Sequence, residues 1–252
     1  MVVICISCSE NKETKAADKN ISVKEKQLIE LVKKYPDSLQ LTENLIEYYR
    51  NQGNYDSAIS IIDKAITKDS NVAELWDIKA TLHYENGDTL NAIKAFEGAI
   101  NIYPLPEYVI SLGSLYAQTK NPKALSLADA LLASDTHAKK EAFFIKGLFY
   151  NYTGVKFKAI NLFDSCIKLD YTYMYAYREK AIALYEDKRY AEAIKVLTKA
   201  VTIQNNFDEG YYWLGNCFKK LNRKQEAIES YQTALMYDKN FIEARDSLKT
   251  LQ

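Results

Sequence analysis

The chain is poor both in residues that break helices and in residues that do chemistry. Of 252 residues only 8 are glycine and 4 proline, too few for a collagenous or low-complexity chain, and most sit in short turns or at segment boundaries. The two histidines, His83 and His137, have no second ligand residue at helical spacing. No H-E-x-x-H, P-loop or G-x-G-x-x-G sequence occurs, so the usual signatures of metal, phosphate and dinucleotide sites are missing. Charge of one sign is lacking too: 33 basic side chains balance 33 acidic ones without a basic stripe, which points away from nucleic acid. No apolar run approaches the roughly 20 residues of a membrane-spanning helix. Cys5-Ile6-Ser7-Cys8 spells C-x-x-C, but with no βαβ unit beside it and no second pair it does not read as a redox or metal motif. These absences describe a non-enzymatic chain with no cofactor and no metal. With 48% hydrophobic and 26% charged residues it is expected to fold.

What is present is a period. Ala58 and Ala92 are 34 residues apart, as are Ala159, Ala193 and Ala227, while Ala92 to Ala159 is 67. A second ladder, Ala65, Ala99, Cys166, Ala200 and Ala234, has the same steps. Small residues at a fixed long period mark one supersecondary unit stacked repeatedly. Within each unit the spacing is helical: Ala92, Phe96 and Ala99 recur at i, i+4 and i+7, as do Ala193, Leu197, Ala200 and Ala227, Tyr231, Ala234. An apolar helix precedes each, for example Tyr211, Leu214, Gly215, Phe218, and turns such as Asn51–Asn54, Asn86–Asp88 and Thr153-Gly154 separate the two. Glycine suits the left-handed position after a helix C-terminus. Each unit is therefore expected to be a helical hairpin. Gly147 and Gly215 are placed at the tight crossing, beside Ala159 and Ala227. The alternation of Tyr171–Tyr177 imitates a strand, but the period carries it across a loop into a helix.

This pattern resembles the tetratricopeptide repeat family, whose motif sets a large apolar residue fourth, Leu-Gly or Leu-Ala at seven and eight, an aromatic at eleven, Ala at 20 and 27, an aromatic at 24 and often Pro at 32. Six copies are placed: 39–72, 73–106, about 106–139, 140–173, 174–207 and 208–241. In the third, Leu112, Gly113 and Tyr116 match, but its second helix is out of register, with Pro122 read as marking a shortened turn. Residues 21–36 form a half-repeat and 242–252 a capping helix. The resemblance implies an all-α solenoid and a protein- or peptide-binding role. It makes His83, in the aromatic slot, a packed core residue, while His137 falls in a loop. Cys166 and Cys217, two repeats apart, are too distant for a disulfide and are expected to be buried and free.

Residues 1–7 are apolar and 8–20 polar without periodicity, a tether. This resembles the end of a bacterial lipoprotein signal, with Ser7 in the small position and Cys8 as lipid acceptor, although no Lys or Arg precedes the run and Cys5 stands where Leu is usual. It implies a membrane anchor through Cys8 in the bacterial cell envelope, in the periplasm or at the outer membrane. A cytoplasmic adaptor is the alternative.

In the same family, positions 2, 5, 9, 12 and 13 of the first helices line a concave groove. The first two repeats offer a polar, acid-leaning set that includes Glu43, Glu47, Glu74, Asp77, Thr81 and Tyr84. Some members bind a chaperone's C-terminal carboxylate there, and Glu43 and Glu47 would repel one. Repeats four to six are aromatic with interleaved Arg and Lys, a composition typical of binding hot spots. The candidate partner-binding residues are therefore Phe144, Leu148, Tyr152, Tyr175, Arg178, Tyr185, Tyr212, Asn216 and Lys219. An aromatic groove that stacks sugar rings, a glycan-binding lipoprotein, and a purely structural spacer or homo-oligomer are the competing readings.

Overall fold

The computed structural model describes residues 22–134 and 138–251. Cys5, Cys8, the tether and His137 lie outside these residues. Fourteen α-helices and no strand occur among the described residues. The chain divides into two compact units after Ala65, inside α3.

The first unit holds α1 (Val23–Lys34), α2 (Leu39–Asn51) and most of α3 (Tyr55–Lys68). Ser22 caps α1, its Oγ accepting from the Glu25 N–H at 3.0 Å, and lies 2.8 Å from the Tyr48 hydroxyl. The Tyr49 hydroxyl donates to Glu25 at 2.8 Å. Burial, with this acidic partner, raises Tyr49 to about 12. Leu45, Ile46, Ala58 and Ile62 form the buried face.

The second unit is a run of hairpins, each packed on the next: α4 (Ala73–Glu85) with α5 (Thr89–Ile102), α6 (Pro106–Gln118) with α7 (Lys123–Ser134), α8 (Lys139–Tyr152) with α9 (Lys156–Leu169), α10 (Met174–Glu186) with α11 (Tyr190–Ile203), and α12 (Asp208–Lys220) with α13 (Lys224–Tyr237). The final helix, α14 (Ile242–Lys249), packs on α13. Ala92, Ala99, Ala159, Cys166, Ala193, Ala200, Ala227 and Ala234 are all completely buried. Phe163, Leu197 and Tyr231 fill the layer between these small residues and are equally inaccessible. Burying a side chain of this size contributes about 1.5–3 kcal/mol. The strand-like stretch is loop up to Tyr173 and helix from Met174. His83 is packed, with Nδ1 3.4 Å from Asp88. Cys166 and Cys217 are free and buried, and burial pushes both thiols up to about 12.

The glycine crossings differ from expectation in their neighbour. A Cβ on Gly147 would lie 2.6 Å from Phe163 Cε1, and one on Gly215 2.6 Å from Tyr231 Cε1. The residue that demands glycine is thus the aromatic one turn beyond the alanine. The third hairpin also departs from expectation. Its turn, Thr119–Pro122, is one residue longer than the three-residue turns elsewhere, not shorter, and the linker before it, Tyr103–Leu105, is one residue shorter than Asp69–Val72 and Asp170–Tyr173. Ala124 and Ala128 supply its small buried positions.

All six hairpin turns share one geometry, although only three contain glycine at the decisive position. Gly53, Gly87 and Gly154 have φ of 66°, 78° and 85°; Lys120, Lys188 and Asn222 occupy the same position at 56°, 60° and 59°. In each, the next N–H reaches back five residues to a first-helix carbonyl: Asn54 to Tyr49, Asp88 to His83, Asn121 to Tyr116, Val155 to Tyr150, Arg189 to Leu184 and Arg223 to Phe218, at 2.7–2.9 Å. This is the Schellman closure. Tertiary pairing holds two lysines in a left-handed conformation that costs roughly 1–2 kcal/mol.

Two stability outcomes follow. Lys188→Gly should raise the stability read from a urea melt by roughly 0.5–1 kcal/mol after the extra chain entropy of glycine is offset, whereas Gly154→Ala should lower it by about 1 kcal/mol; a loss for Lys188→Gly, or no loss for Gly154→Ala, would remove the strain argument. Gly147→Ala should cost about 1–3 kcal/mol by overpacking, and adding Phe163→Leu should cost less than the two single losses summed.

Candidate functional site

The first helices of four successive hairpins enclose a cleft of about 630 Å³ in the second unit, within the usual range of ligand sites. Thr81 and Tyr84 come from α4, Glu107, Ile110, Ser114 and Gln118 from α6, Phe144, Leu148 and Tyr152 from α8, and Tyr175, Arg178 and Glu179 from α10. These residues recur three, four and seven apart on their helices, so each helix presents one face. Apolar residues make the floor: Phe96, Leu115, Phe144 and Leu148 are each about 5% exposed. Tyrosines make the rim, with Tyr84 at 49%, Tyr152 at 40% and Tyr175 at 56% exposed.

An edge-to-face chain of rings joins floor to rim. Phe163 meets Phe144 at 5.9 Å, Phe144 meets Tyr173 at 5.3 Å, and Tyr173 meets Tyr175 at 5.7 Å. Tyr175, on the rim, is thereby held by packing and stays more than half exposed. Tyr173 ends the loop before α10. The Tyr152 hydroxyl is raised above its ordinary pKa, first by burial and then by Glu179 and Tyr84.

Arg178 is less available than its sequence position suggests. Its Nη1 donates to both carboxylate oxygens of Glu209 at 2.7 Å, its Nε donates to Glu179 at 3.0 Å, and the guanidinium lies 5.3 Å from the Tyr175 ring centroid. Glu179 is buried, and burial pushes its carboxyl above the usual range, with Glu209 and Glu186 adding to the rise and Arg178 opposing it.

Of the nine expected partner-binding residues, Phe144, Leu148, Tyr152, Tyr175 and Arg178 meet in this cleft, and the other four are not among its lining residues. Tyr185 packs edge-on against Tyr190 and Trp213. Tyr212 packs against Trp213, Tyr231 and Phe241. Asn216 accepts the Tyr231 hydroxyl at 2.7 Å, and Lys219 donates to Thr250 at 2.8 Å, beyond the end of α14. These four fasten the last hairpin and its cap. Sequence reasoning missed Glu107, Ile110, Ser114 and Gln118, although the first helix of the third repeat keeps motif register and counting from Gly113 reaches them. It also missed Tyr173 and Glu179, which lie outside the usual groove positions.

Fold and cleft together define an all-α solenoid of helical hairpins with a cleft lined by its first helices. Tetratricopeptide repeat models match residues 25–73, 44–106 and 209–241, and a TPR repeat model matches 181–222. The chain belongs to the tetratricopeptide repeat family. Superkiller complex protein 3 of Homo sapiens is 24% identical over 209 residues, covering 79% of this chain and 13% of that protein. Hsp70-Hsp90 organizing protein of Triticum aestivum is 23% identical over 248 residues, covering 91% and 42%. The chain thus spans less than half the length of these curated relatives. A tetratricopeptide repeat protein from Parabacteroides merdae superposes with a TM-score of 0.72 at 20% identity over 90% of each chain. PilW, a type IV pilus biogenesis factor, superposes with 0.60 at 18% identity over 84% of this chain and 97% of its own. At these identities the likeness is one of fold.

The two groups of aromatic residues should separate in a melt. Tyr212→Ala removes a ring packed against three others and should cost roughly 2–4 kcal/mol. Tyr175→Ala, more than half exposed, should stay within about 0.5 kcal/mol of the parent. A Tyr175→Ala loss as large as that of Tyr212→Ala would make the rim a packing feature.

Proposed function

We propose that this protein is a non-catalytic scaffold that holds a segment of a partner protein in the α4–α6–α8–α10 cleft, and that Cys8 tethers it to a membrane of the bacterial cell envelope. One observation carries the first part. Three tyrosines from three separate hairpins keep 40–56% of their surface in water above an apolar floor. Rigid, half-exposed rings offer contact area at low conformational cost. Several on one wall are also costly to leave uncovered. Membership of the repeat family supports the same reading. The tether rests on the sequence of residues 1–12 alone, and lipoproteins of this kind carry more than one acyl chain, since one binds membranes only marginally.

The experiment is capture on the chain and on Tyr152→Ala/Tyr175→Ala, from envelope extracts and from purified cell-wall glycan. A protein retained by the parent and lost from the folded double variant supports the scaffold. Retention of glycan instead transfers the cleft to sugar stacking, and equal retention by both chains removes it as the binding site. In parallel, the parent carrying a basic leader should incorporate labelled palmitate and Cys8→Ser should not; undiminished labelling of Cys8→Ser refutes the anchor.

A further inference from the structure

Taking the cleft as the peptide site proposed above, we infer that it selects a basic side chain, lysine or arginine, inserted between the rim tyrosines toward Glu107 and Glu179. Three observations converge on this. The first is charge. Glu107 and Glu179 line the cleft against a single guanidinium, Arg178, which Glu209 also grips through both of its oxygens. The cleft lining thus carries two carboxylates and one guanidinium, and that guanidinium is already paired with Glu179 and Glu209, so an entering carboxylate finds no unpaired cation there. The second is availability. Glu107 is exposed at the start of α6 and makes no hydrogen bond or ion pair among the described residues. Glu179 is only 7% exposed and has one partner, Arg178 Nε. A carboxylate this deeply buried gains from a second cation, because the low-dielectric surroundings strengthen the attraction. The third is the rim. Tyr84, Tyr152 and Tyr175, on three helices, keep 40–56% of their surface exposed along the cleft. A cation within about 6 Å of an aromatic face is attracted by the ring quadrupole. The fold already makes this contact once, with Arg178 5.3 Å from the Tyr175 ring centroid. The apolar floor takes the methylene stem of the same side chain, as long basic side chains prefer.

The test uses pools of fluorescent eight-residue peptides, acetylated and amidated so that no terminal charge competes. One central residue is fixed as Lys, Arg, norleucine or Glu, and the neighbours are randomised over uncharged residues. Anisotropy is read on the full chain. The Lys and Arg pools should bind at least tenfold more tightly than the norleucine pool, the Glu pool should bind weakest, and the Lys advantage should shrink as salt rises from 50 to 500 mM. Glu107→Gln, at an exposed position, should reduce that advantage about threefold or more with an unchanged melt. Glu179→Gln should reduce it further, with circular dichroism confirming the fold. Equal binding of Lys and norleucine pools, or a Glu pool at least as tight as Lys, overturns the inference. If those pools nevertheless lose binding to Tyr152→Ala/Tyr175→Ala, the cleft remains a peptide site without cation selectivity. If no pool binds at millimolar protein, the inference falls with the peptide reading.

Discussion

In the second unit, two fully buried alanine or cysteine positions on each second helix let the hairpin partners approach, and a large side chain, Phe96, Phe163, Leu197 or Tyr231, fills the layer between them in four of the five hairpins. In α8–α9 and α12–α13 the approach is close enough that the opposing position is glycine, because Phe163 and Tyr231 occupy the space a Cβ would need. Packing at this density tolerates neither an added methyl nor a void. The pairing therefore has one solution per hairpin, and it sets the direction in which every first helix presents its outer face. The same constraint reaches the turns. Lys120 and Lys188 adopt left-handed backbone that their side chains disfavour, because the helix pairing and the five-residue carbonyl closure prescribe it.

The cleft is a by-product of that stacking. No hairpin owns it: floor and rim draw on α4, α6, α8 and α10, and removing the register of any one would scatter its residues. Its electrostatics also arise between hairpins, since Arg178 on α10 is bound by Glu209 on α12. A residue that looks on paper like a free cation facing a ligand is, in the fold, the internal partner of two carboxylates. That pairing leaves no unpaired cation among the residues that line the cleft. The aromatic excess of the chain likewise divides by location: Tyr212 and Tyr185 close the C-terminal end, while Tyr84, Tyr152 and Tyr175 stay open.

The sequence by itself determined the hairpin, its period, its buried ladders and its family, because small residues recurring every 34 positions have one economical packing and local periodicity reports it directly. It also placed Phe144, Leu148 and Tyr152 on one face of their helix, and Tyr175 with Arg178 on one face of theirs, because a helix face follows from spacing along that helix, but it grouped them with four residues that lie elsewhere and set Tyr84 apart from them. What only the tertiary structure decided was long-range. Counting from Gly113 reaches the groove positions of the third repeat, but spacing could not show that they form the middle of a cleft shared with α4, α8 and α10. Nor could it show that Phe163 rather than Ala159 forbids a side chain at Gly147, that Asn216 and Lys219 hold the terminal cap, or that Glu209 takes the charge of Arg178. Each of those depends on which side chains meet across hairpins. A repeat motif specifies the contacts within its own period, and the contacts between periods are settled by the rotation from one hairpin to the next, which exists only once they have stacked.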